Sequence, residues 1–194
     1  VRHIKPDNGK KVAIAGAGPS GLSAAYFLSL LGYRCEVFEA RSEPGGLLRW
    51  GIPSYRLPRD ILSAEINRVR DLGVVIHCDK LVTERLLTTI QRNYDAIFIG
   101  CGYEQSVTLK IQGGDFMQDG LGFLRNFDPQ KKSSFDGITA IVGGGNTAID
   151  IARSLVRRGA KPLVLYRRRL EDMPAFEPEI AMAIKEGVQI RELV

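Results

Sequence analysis

Cysteine is scarce in this chain, and its three copies are far apart. Cys35, Cys78 and Cys101 are the only cysteines among 194 residues, and no Cys-x-x-Cys pair occurs. Disulfide-reductase, iron–sulfur and zinc centres use cysteines at short spacing, so no local motif for them is present and we predict no metal site. An odd, unpaired set favours reduced thiols and a cytoplasmic location. Cys101 follows the apolar run DAIFIG, and we expect a buried structural residue there rather than a cofactor contact.

Histidines and long apolar runs are equally scarce. His3 and His77 are the only histidines, so no Ser/His/Asp arrangement can be argued and we name no catalytic acid or base. His77 ends the run VVIH, where we expect it to pack or to cap. No apolar run approaches the roughly 18 residues of a membrane span, and no signal peptide is visible. These absences favour a protein without a membrane partner.

A strong excess of one charge is also missing. The 27 Lys and Arg residues exceed the 22 Asp and Glu residues by only 5, and 44% of the chain is hydrophobic, as in ordinary globular proteins. The basic residues are not interleaved with aromatic residues in a stacking pattern, and no nucleic-acid-binding module is recognisable. We therefore predict no nucleic-acid partner.

Glycine, in contrast, is concentrated in two segments that follow apolar, strand-like runs. GAGPSG at 16–21 follows KVAIA, and GGGNTA at 143–148 follows ITAIV, 127 residues later. In such a turn the first glycine makes the tight bend, the second lets backbone N–H groups approach a pyrophosphate, and the third small residue lets helix and strand pack closely. Two copies predict two dinucleotide sites. Their candidate residues are Gly16, Gly18, Pro19, Ser20, Gly21, Gly143, Gly145, Asn146, Thr147 and Ala148.

The residue that ends the second strand differs between the two repeats. Glu39 stands 23 positions after Gly16, near the spacing at which a carboxylate accepts hydrogen bonds from ribose hydroxyls. The same offset leads in the second repeat to Tyr166, followed by three arginines at 167–169. A carboxylate would repel a ribose 2′-phosphate, whereas guanidinium groups bind one. We predict FAD in the first repeat and NADPH in the second; the alternative is that the arginines form a solvated strand end.

Strand-like and helix-like segments alternate along the chain. We predict strands near 11–15, 34–39, 138–142 and 163–166, at VVIH and DAIFIG and from Val188, and helices near 19–31, 59–72, 83–92, 121–126, 146–158 and 176–186. The run DPQKKSSFDG is predicted to be a surface connection. This alternation predicts an α/β fold with parallel sheets and two Rossmann-like dinucleotide-binding units. We place an FAD-binding domain at 1–130 and an incomplete NADPH-binding domain at 131–194.

Five segments of the chain carry a family resemblance. They are GAGPSGL, EPGGLLRWGIPSYRLP, DAIFIGCGYEQS, VGGGNTAIDIARSLVRRGA and VLYRRRLEDMPA. Together they resemble the small subunit of glutamate synthase and the similar N-terminal flavin region of dihydropyrimidine dehydrogenase, over nearly all 194 residues. The resemblance implies that one domain binds FAD and that a second, inserted domain binds NADPH. It also implies that the reduced flavin passes electrons to iron–sulfur clusters.

The resemblance further implies individual cofactor contacts. Around FAD it implies residues of the loop 43–58 and of a later strand end, namely Gly46, Leu47, Leu48, Arg56 and Gly102. Ala40 and Arg41, which follow Glu39, are candidates at the same site. Around NADPH the resemblance implies Asn146, Thr147, Arg167 and Arg168.

The chain departs from the family pattern at both ends. No cysteine-rich iron–sulfur segment precedes Val1, and Val194 falls inside the expected third strand of the NADPH unit. We therefore expect that the chain is a piece of a longer polypeptide and that the iron–sulfur clusters lie in missing or partner segments. In this piece the second unit would be truncated, and so would the part of the polypeptide that returns to the first unit. We also expect the isolated piece to be inactive and to self-associate through the strand edge at VQIREL.

Two functions remain open from the sequence. The first is a flavin oxidoreductase in which NADPH delivers hydride to FAD and an iron–sulfur domain or subunit receives the electrons. The second is a regulatory or structural module that binds FAD or NADP(H) without turnover, since fold alone does not fix function. Reduction of bound flavin by NADPH distinguishes the two.

Overall fold

The computed structural model describes residues 4–103, 109, 111–127 and 137–194 of the chain. The chain divides into two compact units, Val1–Glu104 and Gln105–Val194, which we call unit 1 and unit 2. The predicted domain boundary between 130 and 131, and most of the run DPQKKSSFDG, lie outside the described residues. In the described part of the chain, no helix is long and apolar enough to cross a membrane.

Unit 1 is a four-stranded parallel sheet with helices between its strands. Its elements are β1 (Lys11–Ala15), α1 (Pro19–Leu30), β2 (Arg34–Phe38), α2 (Leu47–Trp50), α3 (Arg59–Arg70), β3 (Val75–His77), α4 (Glu84–Asn93) and β4 (Ala96–Ile99). The strand order is β3-β2-β1-β4, and every described pairing is parallel. The chain therefore reverses its direction of growth at β1, which places a crevice at the carboxyl ends of the strands.

The core of unit 1 forms where α1 and α3 cover one face of this sheet. Val12 and Ile14 of β1 and Val37 of β2 are at most 5% exposed. Leu62, Ile66 and Val69 recur at helical spacing on α3 and are buried against them. Four of the five residues of β1 are buried, as expected for a central parallel strand that is covered on both faces.

Unit 2 repeats this design with three strands in its described part. It contains a 3-10 helix at Gly114–Phe116, α5 (Gly120–Asn126), β5 (Ile138–Val142), α6 (Asn146–Val156), β6 (Lys161–Tyr166), a 3-10 helix at Leu170–Asp172, α7 (Glu177–Lys185) and β7 (Gln189–Glu192). The order is β5-β6-β7, all parallel. The first residues of β5, α6 and β6 each follow those of β1, α1 and β2 by 127 positions, so the sequence repeat is also a structural repeat.

The predicted fold class is confirmed, and the elements that the sequence did not reveal are the two 3-10 helices of unit 2 and the helix α2 of unit 1. Both units alternate strands and helices around parallel sheets, as the patterning predicted. The glycines and prolines of the segment 43–58 predicted an irregular loop, but this segment contains the short helix α2. Because α2 has only four residues, the periodicity of its side chains is too short to detect.

His77 packs against residues of the neighbouring strand β2, as its position at the end of an apolar run predicted. Its ring stacks on Phe38 at 5.1 Å, and its Nε2 lies 2.8 Å from Oε2 of Glu36. This hydrogen bond lowers the pKa of Glu36. Burial, together with the hydrogen bond to Glu36, raises the pKa of Tyr94 to about 12. The cluster is structural, since none of these four residues except Phe38 lines the cavity of unit 1 described below.

A network of ion pairs joins α6 to α7 in unit 2. Arg153, only 5% exposed, donates to Oε1 of Glu186 at 2.7 Å and also pairs with Glu179. Arg157 donates to the same Oε1 of Glu186 at 2.8 Å. Hydrogen bonds from Arg153 and then Arg157 lower the pKa of Glu186 to about 2. The two helices that cover the sheet are thus held together by charges as well as by apolar packing.

Candidate dinucleotide-binding sites

The turn between β1 and α1 needs glycine at its first and third motif positions for packing. Gly16 has φ of +97°, and a Cβ there would lie 2.5 Å from the carbonyl oxygen of Gly100. A Cβ on Gly21 would lie 1.9 Å from the carbonyl oxygen of Gly16. Both distances are shorter than any non-bonded contact, so larger residues would force the helix away from the strand.

The second glycine of each motif is free of such contacts. A Cβ on Gly18 would meet only Cα of Gly46, at 3.8 Å, and a Cβ on Gly145 would meet nothing within 4 Å. Neither glycine is therefore required by the packing of the described residues. Each is the residue that caps the N-terminus of its helix, α1 or α6, where backbone N–H groups are unpaired and bind anions. The backbone is thus open at both positions, as a pyrophosphate site requires.

Glu39 holds the first turn from the end of β2. Its side chain is 7% exposed, with Oε2 accepting from the N–H of Ala17 at 2.8 Å and Oε1 accepting from the N–H of Arg41 at 2.9 Å. An ionised carboxylate has about four acceptor positions, so Glu39 retains capacity to accept from two hydroxyls. It brings acceptor oxygens with remaining lone pairs to the side of the first glycine turn.

A cavity of about 730 Å³ opens at the carboxyl ends of the unit 1 strands. Most of the residues predicted to contact FAD line it, namely Gly16, Gly18, Pro19, Ser20, Glu39, Ala40, Arg41, Gly46, Leu47 and Gly102. Three candidates do not line it: Gly21, Leu48 and Arg56. Gly21 serves the packing of α1, and Leu48 packs against the core cluster of unit 1. Arg56 is half-buried in a turn, where its N–H donates to the carbonyl of Pro53 at 3.0 Å.

Sequence reasoning missed six residues that also line this cavity. They are Phe38, Leu81, Val82, Gly100, Cys101 and Tyr103. All of them follow or end strands β2, β3 and β4 at the carboxyl edge of the sheet. The rule that ligands bind at this edge of an open parallel sheet was the signal that could have found them.

The expectation that Cys101 is buried is wrong. Cys101 is exposed and lines the cavity, with its Sγ 3.7 Å from the carbonyl oxygen of Ala15. Burial at the end of a parallel strand depends on what covers the carboxyl edge of the sheet, and here that edge is open. In the described residues, Cys35 is buried and Cys78 is half-buried.

The loop 43–58 approaches the first turn closely. The N–H of Gly45 donates to the carbonyl oxygen of Ala17 at 2.8 Å. Gly46 has φ of +52°, and a Cβ there would lie 2.7 Å from Cα of Gly18. Ala17 is therefore fixed by Glu39 through its N–H and by Gly45 through its carbonyl. The loop forms one wall of the cavity at the point where the pyrophosphate is expected.

Tyr166 lies in unit 2 where Glu39 lies in unit 1. Its ring is so close to Gly144 that a Cβ there would be 2.6 Å from a ring carbon. The ring is 8% exposed, and its hydroxyl donates to the carbonyl oxygen of Asp172 at 2.8 Å. Gly144 is the counterpart of Ala17 in the repeat. An aromatic ring thus replaces the carboxylate against the same turn position, and the negative charge of the first site is absent at this position of the second.

A cavity of about 740 Å³ runs along β5 to the second turn. Of the predicted NADPH contacts, Gly143, Gly145, Thr147 and Ala148 line it. Its remaining lining is mostly apolar and includes Phe116, Met117, Leu121 and Phe123. Residues 103–120 show no regular period, so no sequence signal pointed to the part of this wall that Phe116 and Met117 form.

The other three NADPH candidates lie away from this cavity. Oδ1 of Asn146 accepts from the N–H of Phe176 at 3.0 Å, which ties the start of α7 to the glycine turn. Arg167 and Arg168 are exposed beyond β6, and within the described residues neither side chain makes an ion pair. Arg169, next in the run, pairs with Glu171 at 3.5 Å. The structure therefore brings together the turn residues but not the two arginines.

Comparisons with known proteins give a consistent result. The sequence model of the family described as pyridine nucleotide-disulphide oxidoreductase matches residues 10–192. The beta subunit of NADP(+)-dependent formate dehydrogenase from Moorella thermoacetica is 46% identical over 96% of this chain and 27% of its own length. Subunit PreT of NAD-dependent dihydropyrimidine dehydrogenase from Escherichia coli O157:H7 is 36% identical, over 93% of this chain and 44% of its own length. The NADPH glutamate synthase small chain of Escherichia coli K12 is 34% identical, over 94% of this chain and 42% of its own length.

The fold also matches a solved structure. FprA of Mycobacterium tuberculosis, in complex with NADPH, superposes with a TM-score of 0.75 at 21% identity, over 93% of this chain and 48% of FprA. The chain spans less than half the length of each of these relatives. The resemblance to glutamate synthase small subunits and to dihydropyrimidine dehydrogenase is confirmed.

Proposed function

Because the chain belongs to the pyridine nucleotide-disulphide oxidoreductase family, we propose that it forms the two dinucleotide sites of an NADPH-dependent FAD oxidoreductase. Unit 1 would hold FAD and unit 2 would hold NADPH, and the electrons would pass to an iron–sulfur domain or subunit. The single observation that carries this proposal is the pair of glycine turns, each with open space at its second glycine.

The assignment of FAD to unit 1 is supported by Glu39. Its buried carboxylate keeps free lone pairs beside the cavity, where the hydroxyls of an adenosine ribose can donate to them. The same charge would repel a ribose 2′-phosphate. Gly18, where a Cβ would meet only Cα of Gly46 at 3.8 Å, leaves the backbone bare where the pyrophosphate is expected.

The assignment of NADPH to unit 2 is supported by the replacement at Tyr166. The ring carries no negative charge, and the exposed side chains of Arg167 and Arg168 follow it directly. Guanidinium groups bind phosphate through two parallel hydrogen bonds, so these arginines suit a 2′-phosphate. The relatives named above include NADP-dependent, NADPH-dependent and NAD-dependent proteins, so the preference must come from the residues of this chain.

The chain contributes orientation and electrostatics rather than an acid or base. FAD, when bound, supplies an acceptor for a hydride and a donor of single electrons. The residues of unit 1 fix the turn that grips its pyrophosphate and exclude a phosphorylated ribose. Those of unit 2 anchor α6 and, through Asn146, the start of α7. We name no catalytic residue, and we place the protein in the cytoplasm as part of the proposal.

The rival function is a module that binds FAD or NADP(H) without turnover. It needs the same turns and cavities, so affinity measurements do not separate the two. Loading the protein with FAD and adding NADPH without oxygen does. Loss of the flavin absorbance supports the oxidoreductase, and binding of both nucleotides with an unchanged flavin spectrum supports the module.

Two further expectations concern the 194-residue piece alone. We propose that it is purified largely colourless and shows no sustained NADPH-dependent reduction of FAD, since it spans less than half of each relative. We also propose that it self-associates at high concentration. Strand β7 pairs with β6 alone in the described part of the sheet, which leaves its other edge free for a second copy.

A further inference from the structure

Two arginines hold the loop 43–58 in place without lining the cavity that the loop closes. Arg49 lies on α2, inside the loop, and Arg59 is the first residue of α3, just after it. Neither is among the residues that line the unit 1 cavity. Each reaches across to the other element.

Arg59 binds the carbonyl end of α2. Its Nη1 donates to the carbonyl oxygen of Leu48 at 3.0 Å, and its Nη2 donates to that of Ile52 at 2.9 Å. The last carbonyls of a helix lack partners within the helix, and a cation there also complements the helix dipole. A helix of four residues cannot persist by its own hydrogen bonds. The fork of Arg59 therefore supplies what α2 lacks.

Arg49 makes the reciprocal contacts. Its side chain, 12% exposed, donates from Nε to the carbonyl oxygen of Pro44 at 2.7 Å and from Nη2 to Oγ of Ser63 on α3 at 3.1 Å. Its Nη1 pairs with Glu43 at 2.8 Å. The stem of Arg49 also covers Gly45, since a Cβ on Gly45 would lie 3.0 Å from Cβ of Arg49. Arg49, which follows Gly46 on α2, thus holds the residues that precede Gly45.

The consequence reaches the pyrophosphate turn. Gly45 donates to the carbonyl oxygen of Ala17, and Gly46 lies against Gly18. Moving α2 away from α3 would break the first contact and open the second. The position of one cavity wall therefore depends on two guanidinium groups outside the cavity.

We propose that Arg49 and Arg59 are positioning residues that hold the loop 43–58 closed on the first glycine turn before FAD binds. This inference rests on the proposed FAD site of unit 1. If the loop is already ordered, less of the binding free energy of FAD is lost in ordering it. When the loop is closed in only a fraction of the molecules, the apparent affinity falls by that fraction.

Trp50 provides a readout of the loop that needs no cofactor. It is the only tryptophan in these 194 residues. Its Nε1 donates to the carbonyl oxygen of Glu43 at 3.3 Å, and the guanidinium of Arg41 lies 5.6 Å from the centre of its ring. Release of the loop would expose the indole and shift its emission to longer wavelength.

The experiment compares Arg59→Ala and Arg49→Ala with Arg68→Ala in the protein at its natural full length. Arg68 lies on the same helix α3 and pairs with Glu65 on its surface, so it is a matched control. Subtracting the emission of a Trp50→Phe counterpart isolates the Trp50 signal. FAD and NADPH are titrated separately, and FAD association is followed by stopped flow.

The expected result has three parts. Both loop variants shift Trp50 emission to longer wavelength without nucleotide, and their FAD affinity falls about tenfold, as expected when only a tenth of the molecules hold the loop closed. FAD association slows in both loop variants, whereas their NADPH affinity stays the same. The Arg68→Ala control keeps the emission, FAD affinity and association rate of the unaltered protein. Arg59→Lys, which keeps the charge but not the planar fork, recovers part of the FAD affinity.

The outcomes that overturn the inference are distinct from failure of the proposed function. Unaltered FAD affinity and Trp50 emission in folded Arg59→Ala and Arg49→Ala proteins would overturn the positioning role alone. Should Arg59→Ala not fold, an Arg59→Lys protein with normal FAD affinity, association rate and Trp50 emission would do the same. If the unaltered protein fails to bind FAD, the proposed function is wrong and the positioning role is wrong with it.

Discussion

The carboxylate of Glu39 accepts a hydrogen bond from the backbone N–H of Ala17 at 2.8 Å. In the second repeat the same two positions are Tyr166 and Gly144, and the ring lies so close to Gly144 that a Cβ there would be 2.6 Å from a ring carbon. The same two positions thus lie together in both repeats, but the side chain is a buried carboxylate in the first and an uncharged ring in the second. Since each pair lies beside a glycine turn that we propose to bind a pyrophosphate, this one contact distinguishes the two proposed nucleotide sites.

Glu39→Ala should weaken FAD binding and leave NADPH binding unchanged. Loss of the carboxylate removes an acceptor for the ribose and leaves the buried N–H of Ala17 unpaired, which should lower the free energy of unfolding by about 1–3 kcal/mol. The FAD affinity of Glu39→Gln, which keeps one acceptor oxygen, should lie between those of Glu39→Ala and the unaltered protein. The control is Glu36→Ala on the same strand, which pairs with His77 outside the cavity. Isothermal titration and urea unfolding measure both effects, and normal FAD affinity in Glu39→Ala would contradict the assignment.

Gly18→Val and Gly21→Ala should fail for different reasons. A Cβ on Gly18 would meet only Cα of Gly46, at 3.8 Å, so the Val variant should fold but lose FAD because the branched chain fills the pyrophosphate space. A Cβ on Gly21 collides with the carbonyl oxygen of Gly16, so this variant should lose thermal stability even without nucleotide. Circular dichroism melting and FAD titration separate the two. Retained FAD binding by a folded Gly18→Val protein would show that the pyrophosphate lies elsewhere.

The double variant Arg167→Ala/Arg168→Ala should lose NADPH affinity but not NADH affinity. Each lost charge-assisted contact to the 2′-phosphate should cost about 1.5–3 kcal/mol. Arg169→Ala is the matched control, because Arg169 pairs with Glu171 at 3.5 Å. Titration with both nucleotides measures the ratio of NADPH affinity to NADH affinity in each protein. Equal losses for NADPH and NADH in the double variant would favour the alternative of a solvated strand end.

Cys101 should be the most reactive thiol and should be protected by FAD. It is exposed in the unit 1 cavity, whereas burial raises the pKa of Cys35 and of Cys78 and so reduces their thiolate fractions. Timed alkylation followed by mass spectrometry should show labelling of Cys101 first, and slower labelling with FAD present. The Cys101→Ser protein controls for the other two sites. Labelling of Cys101 at the same rate with saturating FAD would place the cofactor away from this strand end.

Glu186 should make unit 2 sensitive to acid. Its folded pKa of about 2 lies below the ordinary value of 4.5, so its ion pairs stabilise the fold above about pH 4.5 and are lost as the pH falls toward about 2. The contribution is of order 1–3 kcal/mol once solvent screening is included. Glu186→Gln should flatten the pH dependence of urea unfolding in this range, and the exposed Glu177→Gln should not. Parallel pH profiles for Glu186→Gln and the unaltered protein would contradict the role of the network.

Local patterns in the sequence were enough for the alternation of strands and helices and for the two glycine turns. The period of α3 and the packing demand on Gly21, whose Cβ would meet Gly16 in the same turn, are local properties of short segments, so the sequence carries them. The helix α2 and its clamp by Arg59 depend on contacts between separate elements, which no local period encodes. The exposure of Cys101 and the partner of Asn146 are also set by tertiary packing, and for the same reason they could not be predicted.

Reduction of bound flavin by NADPH tests the central claim most directly. The protein at its natural full length is loaded with FAD, freed of oxygen and mixed with NADPH in a stopped-flow spectrometer. We predict that the flavin absorbance disappears, and that the Arg167→Ala/Arg168→Ala protein needs a higher NADPH concentration for the same rate. Saturating NADPH that binds to the protein and leaves the flavin spectrum unchanged would contradict the account and favour a nucleotide-binding module without turnover.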